Sequence, residues 1–114
     1  MAYKVRFSAE SLRDLDDIWA DVLQVSQDLN TAEKYIDGIL NQITAKKSFP
    51  ESGIPLLYKG LFTGFFSVNY KAYKAFYRLN ANHMEVVRVL PMAMDYMVLL
   101  FGESEGADGR DGQE

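Results

Sequence analysis

Cysteine is absent from this 114-residue chain, which excludes a disulfide framework and any thiolate metal site. Proline is scarce, with three residues, and there is a single histidine, His83. Long apolar runs are missing too. The longest clean one, MVLLF at residues 97–101, falls far short of the roughly 20 residues a bilayer demands. The start, MAYKVRFSAES, carries Lys4 and Arg6 with no apolar core between them, so it does not read as a signal peptide. These absences lead to the expectation of a cytoplasmic protein with no membrane contact. Phosphate-cradling glycine loops, GxSxG, HExxH and acidic calcium loops are also missing. No cofactor and no metal are therefore expected. Asp14, Asp17 and Asp21 share a helical stripe that could hold a cation but reads more simply as a solvated face. His83, in a predicted turn, reads as solvated.

What is present suffices for one domain. Hydrophobic residues make up 48% of the chain, with seven Phe and seven Tyr, enough for a core without metal or disulfide support. The formal net charge of −4 is concentrated at one end. Residues 103–114, ESEGADGRDGQE, hold five acids against Arg110, so residues 1–102 balance. The reading is a single domain over 1–102 followed by an acidic, glycine-rich tail expected to be disordered. Within the domain, residues 8–30 carry six acids and only Arg13, while residues 31–102 carry eight bases against five acids. That balance excludes strong non-specific nucleic-acid binding and leaves room for a local basic patch.

Periodicity orders the elements. Residues 3–7 (YKVRF) alternate apolar and charged, as a half-buried strand does. Ser8 is a natural helix cap. Leu12, Leu15, Ile18, Trp19, Val22 and Val25 then recur at helical spacing, predicting a helix over 9–26. Asn30 and Glu33 suggest a capping box opening a second helix with Ala32, Tyr35, Ile36, Ile39, Leu40 and Ile43 on one face. The short link at 27–29 predicts an antiparallel helical hairpin. Residues 49–55, with two prolines and a glycine, read as a loop. Three strands follow, at 61–68, 73–79 and 84–90, the last two joined by a turn in which asparagine takes positive φ. Residues 95–101 suggest a short terminal helix. The expected fold is α+β: an N-terminal strand, the helical hairpin, then a three-stranded antiparallel meander in one sheet with the helices on one face.

Two stretches carry candidate chemistry. In YKAYKAFYR, residues 70–78, strand alternation puts Tyr73 and Tyr77 on one face and Lys74 and Arg78 on the other. The tyrosines, with Phe65, read as core beneath the helices. Lys71, Lys74, Arg78 and Arg88 are open between a solubilising face and phosphate contact. In VVRVLPMAMDY, residues 86–96, Val87 and Val89 are expected to share one face and Val86 and Arg88 the other. The charge and the proline are unusual for a strand in mid-sheet. Met92 and Met94, and the segment 97–101, suit an adaptable contact surface; the alternative that Met97, Leu100 and Phe101 pack back on the helices is preferred for Phe101 and left open for the methionines.

In combination, SLxDLxxI at residues 11–18, Ala32 with Tyr35, Ile36 and Ile39, the Phe49-Pro50…Gly53 loop, Tyr73-Lys74-Ala75-Phe76-Tyr77-Arg78, and Val87-Arg88-Val89-Leu90 followed by Asp95-Tyr96 resemble the RelE/ParE superfamily of type II toxin–antitoxin toxins. The resemblance covers about residues 3–101 and implies the same α+β fold and a cognate antitoxin as partner. It implies two activities. RelE-like members are metal-independent, ribosome-dependent mRNA endonucleases, and ParE-like members bind DNA gyrase. Lys74, Arg88 and Asp95-Tyr96 correspond to family positions. Phe65 and Ser67 stand where nuclease members carry lysines, and Pro91 through Met94 stand where acid–base and phosphate-binding groups are common. A nuclease needs such groups to converge. The expectation is therefore a ParE-like toxin acting through protein contact, with an mRNA endonuclease or a non-toxic, antitoxin-binding relic as alternatives. The candidate binding residues are Lys71, Lys74, Arg78, Arg88, Met92, Met94, Asp95 and Tyr96. Lys74, Arg78, Arg88 and Tyr96 would be the catalytic set in the nuclease case. A homodimer and a toxin–antitoxin hetero-oligomer are both compatible with the sequence.

Overall fold

The computed structural model describes residues 2–94 and 96–102. The element order is β1 (Lys4–Phe7), α1 (Ala9–Ser26), α2 (Leu29–Thr44), a 3₁₀ turn (Pro50–Ser52), β2 (Ile54–Tyr58), β3 (Leu61–Tyr70), β4 (Tyr73–Asn80), β5 (His83–Pro91) and α3 (Tyr96–Phe101). One sheet runs β1-β5-β4-β3-β2, with β1 parallel to β5 and the other pairs antiparallel. The meander therefore has four strands, not three. The additional strand β2 is IPLLY, whose apolar vocabulary was obscured by the adjoining prolines. Its hairpin closes at Lys59 and Gly60, both with positive φ (53° and 81°), as a tight two-residue turn requires.

Local chemistry explains the helices. Ser8 caps α1 by accepting from the Ser11 amide at 3.0 Å, as expected. α2 starts two residues earlier than the capping-box reading. Asp28 is its cap position, with its carboxylate taking the Thr31 hydroxyl at 2.6 Å. A short carboxylate with a hydroxyl three residues on competes for the role assigned to Asn30. In the β4–β5 turn the positive φ belongs to Ala81 (55°), not to an asparagine.

α1 and α2 cover one sheet face. Leu15, Ile18, Ile39 and Ile43 meet Phe66, Val68, Ala75, Tyr77, Met84, Val86 and Val89 there. Tyr77, fully buried, stacks on Phe66 at 5.7 Å and donates its hydroxyl to the Pro50 carbonyl at 2.5 Å. Burial pushes its phenol up to about 12. The opposite, outer face carries a second cluster of Leu56, Phe76, Leu90 and Met97, with Phe65, Tyr58, Val87 and Leu100 against it. Two expectations are corrected here. Phe65 lies on the outer face rather than under the helices. α3 packs on that outer face and not on the helical hairpin, with the Phe101 ring 5.6 Å from Phe65 and 6.4 Å from Tyr58.

A bulge in β5 corrects a third. Phe76 pairs with Arg88 and Tyr77 with Val86, leaving Val87 as the extra residue and inverting the alternation beyond it. Val86 and Val89 both face the helices, whereas Val87 and Leu90 face outward. The last β1–β5 pair is Phe7 with Val86, so β5 runs on past β1 with an open edge. α1 supplies the missing partners. Ser8 donates its amide to the Val86 carbonyl (3.0 Å) and its hydroxyl to the Val87 carbonyl (2.9 Å), and Asp14 accepts the Val89 amide at 2.9 Å. With that amide directed at the open edge, alternation turns the nitrogen of Pro91 the same way. Proline costs no ladder bond there.

Two measurements check this account. Asp14→Asn and Arg88→Met are each expected to lower stability by about 2–4 kcal/mol, the range for breaking one partner of a poorly solvated pair, read as a lower urea midpoint with an unchanged slope. Tyr77→Phe is expected to cost about 1 kcal/mol through the lost hydrogen bond, the Pro50 carbonyl keeping the Gly53 amide at 3.2 Å. Because folding raises the Tyr77 pKa, its stabilising contribution is complete below the ordinary phenol value near 10 and is lost as pH rises toward about 12. The stability difference between wild type and Tyr77→Phe should shrink over that window.

Candidate functional site

Arg88 leaves the sheet toward α1. Its Nε and Nη2 donate to the two carboxylate oxygens of Asp14 at 2.8 and 2.9 Å, with the side chains 24% and 11% exposed. The Asp14 bond holds the guanidinium pKa above its ordinary value. This bidentate pairing makes Arg88 a structural tie. Beside it lies a cleft of about 330 Å³ between α1 and the end of β5, walled by Asp17, Asp21, Tyr73, Pro91 and Met94. Burial, and then the charge of Asp21, raise the Tyr73 phenol. Asp14 is thus removed from the acidic stripe, and among the described residues no group of acids and histidine could hold a metal.

Lys74 and Arg78 sit on the outer face, as alternation predicted. Lys74 Nζ is 3.5 Å from the Ser67 hydroxyl, and desolvation lowers its pKa. It stands between cross-strand neighbours Asn69 and Leu90. Arg78 donates to Glu85 at 3.2 Å, and Arg6 reaches the same carboxylate at 2.6 Å. Arg6 dominates in lowering the Glu85 pKa. The Arg78 guanidinium also lies over the Phe65 ring at 6.0 Å. Four strand residues put the Lys74 and Arg78 Cα atoms about 13 Å apart.

The remaining candidates are dispersed. Lys71, at φ 52° in the β3–β4 turn, stands over the Tyr35 and Tyr70 rings at 5.5 and 5.6 Å, beside α2. Met92 donates its amide to the Ala72 carbonyl and is partly exposed, as is Met94. The Tyr96 backbone opens α3, and Asp95 lies outside the described residues. His83 pairs across β1 with Lys4, at the far end of β5 from Lys74. Among the described residues, the predicted side chains thus divide among an α1-side cleft, a hairpin tip and an outer face, and do not converge. Sequence reasoning missed Asp14 as the partner of Arg88. The available signal was a strand arginine that needed an anion, in a chain whose first helix offers a stripe of them.

The model of the ParE toxin of type II toxin–antitoxin systems, parDE, matches residues 5–96. A chromosomal ParDE toxin–antitoxin system from P. aeruginosa superposes with a TM-score of 0.66 at 15% identity, over 79% of this chain and 96% of that one. A YoeB/ParE toxin from Agrobacterium tumefaciens gives 0.53 at 19% identity, over 77% and 96%. The toxin–antitoxin complex RelBE2 from Mycobacterium tuberculosis gives 0.52 at 21%, over 80% and 99%. These likenesses establish the fold. No curated protein matches the chain in sequence. With the family match running from β1 into α3, through the bulged strand and the Asp14 helix that define this architecture, the chain belongs to the ParE toxin family of type II toxin–antitoxin systems.

Proposed function

We propose that this toxin acts by binding a protein target, DNA gyrase by analogy with ParE-type members, and that a cognate antitoxin neutralises it. The observation that carries this reading is the commitment of the cations. Arg88 is held by Asp14, Arg78 by Glu85, and Lys74 reaches the Ser67 hydroxyl between its cross-strand neighbours Asn69 and Leu90. Cleavage of RNA through its own 2′-hydroxyl needs an acid, a base and a phosphate-binding cation within hydrogen-bond reach of one phosphate. Among the described residues no such set meets. A binding surface needs no convergence, and Met92 and Met94, with Lys71, Lys74 and Arg78, provide adaptable and charged contact points for target or antitoxin. An antitoxin partner is supported by the RelBE2 neighbour, which is a toxin–antitoxin complex.

Induced expression without antitoxin should arrest growth with DNA-damage signalling and leave ribosome-bound mRNA intact by primer extension. Purified protein should inhibit supercoiling by gyrase. New mRNA cleavage sites with unimpaired supercoiling would assign the nuclease activity instead. Normal growth at high expression would mark a non-toxic, antitoxin-binding member.

A further inference from the structure

The two edges of the sheet meet solvent differently. β1 and β2 are its outer strands. β1 carries Lys4 and Arg6 in four residues, and charge of that kind keeps an edge from pairing with another chain. β2, Ile54-Pro55-Leu56-Leu57-Tyr58, carries no charge. One contact fixes the direction of its backbone. The Leu56 carbonyl accepts the Thr63 hydroxyl of β3 at 2.8 Å, so Leu56 turns its polar groups inward, and alternation turns those of Pro55 and Leu57 outward. The hairpin agrees, because Leu57 pairs with Phe62 one place before the Tyr58–Leu61 closure, a position whose ladder groups point away from the partner. Pro55 has no amide to leave unpaired there, whereas Leu57 puts both a donor and an acceptor on the open edge. Exposed apolar side chains surround it. Ile54, Leu57 and Phe62 are about half exposed and Leu61 is 73% exposed. Leu56 belongs to the outer cluster, so Leu57 faces the helix side, as does Phe62, 5.1 Å from Phe66.

We propose that the β2 edge docks a second copy of this chain, with Leu57 opposite its counterpart about a two-fold axis normal to the sheet. An antiparallel pair centred there lets the two leucines exchange both backbone hydrogen bonds. The contact is isologous and closes at two copies. Charge favours this occupant, since a five-residue strand without a charge meets its own uncharged counterpart, whereas like charges directly opposite would repel. Area favours it as well. At about 100 Å² for each half-exposed large side chain, Ile54, Leu57, Leu61 and Phe62 offer roughly 400 Å² per copy. The pair thus reaches about 800 Å² before the strand backbone is counted, the scale of small, reversible interfaces. The axis keeps both helical hairpins on one side of the joined sheets and both outer faces on the other. Antitoxin or target then meets two outer faces at once, and bivalent contact is tighter than single contact. The inference does not depend on the identity of the toxin's target.

Sedimentation velocity of the purified full chain over about 5–500 µM, the span suited to so small an interface, should show a reversible monomer–dimer equilibrium. Leu57→Lys should weaken it by at least about tenfold, because it removes apolar surface and sets two ammonium groups against each other. Leu61→Lys, on a more exposed side chain outside β2, should weaken it too, with the circular dichroism spectrum of the wild type. The absence of cysteine adds a test of register. Residues opposite in a hydrogen-bonded pair have Cα atoms about 5.5 Å apart, within reach of a disulfide. Under copper–phenanthroline oxidation Leu57→Cys should therefore form a covalent dimer, and Val25→Cys, 87% exposed near the end of α1, should not. A wild-type chain that stays monomeric over the whole range overturns the proposal and leaves the edge to a strand of another protein, such as the antitoxin. Dimerisation that both lysine variants leave intact overturns it, as does equal cross-linking of the two cysteine chains.

Discussion

One carboxylate holds the two layers of this fold in register. Asp14, on the second turn of α1, accepts both arms of the Arg88 guanidinium and the Val89 amide. Those three bonds join the first helix to a central strand 74 residues away, at the place where β1 ends and β5 would otherwise present unpaired backbone to a partly buried edge. Ser8, nearly two turns earlier, satisfies the Val87 carbonyl while capping the helix. The start of α1 therefore acts as a short continuation of β1, made of side chains in place of backbone.

The bulge at Val87 belongs to the same arrangement. Regular alternation would turn Arg88 to the face of Val86 and put Val89 opposite. The extra residue returns Val89 to the helix-side core, sends Leu90 outward under α3, and leaves Arg88 aimed at α1. A charge and a proline in the middle of an apolar strand, unusual as read from sequence, are thereby reconciled with stability. The arginine meets a carboxylate, and the proline sits where no ladder donor is needed.

The two faces of the sheet consequently have different chemistry. The helix side is closed by aliphatic packing and by Tyr77, whose hydroxyl anchors the 3₁₀ turn before β2. The outer side is a small apolar cluster capped by α3 and surrounded by cations, with Glu85 shared between Arg6 and Arg78. Positive charge spread along strands and already engaged by neighbours suits broad contact with another macromolecule better than charge stabilisation at one phosphate. That is the physical basis for reading a ParE-type toxin here as a binding protein.

By itself the sequence determined what depends on short-range periodicity: the span of α1 and its Ser8 cap, the apolar faces of both helices, the division of Tyr73 and Tyr77 from Lys74 and Arg78, and the α+β order that, with the Phe49-Pro50, YKAFYR and VRVL segments, resembles its family. It did not reveal β2, whose prolines resemble a loop until β3 is there to pair with it. Nor did it reveal the side of the sheet chosen by Phe65 and α3. The faces of Val86 through Leu90 were beyond it too, because a bulge is created by the partner strand and leaves no mark on local alternation. Above all, only the tertiary structure decided the role of Arg88. An arginine's chemistry is the same everywhere, and whether it binds a ligand or closes a fold depends on which carboxylate the chain brings within 3 Å of it.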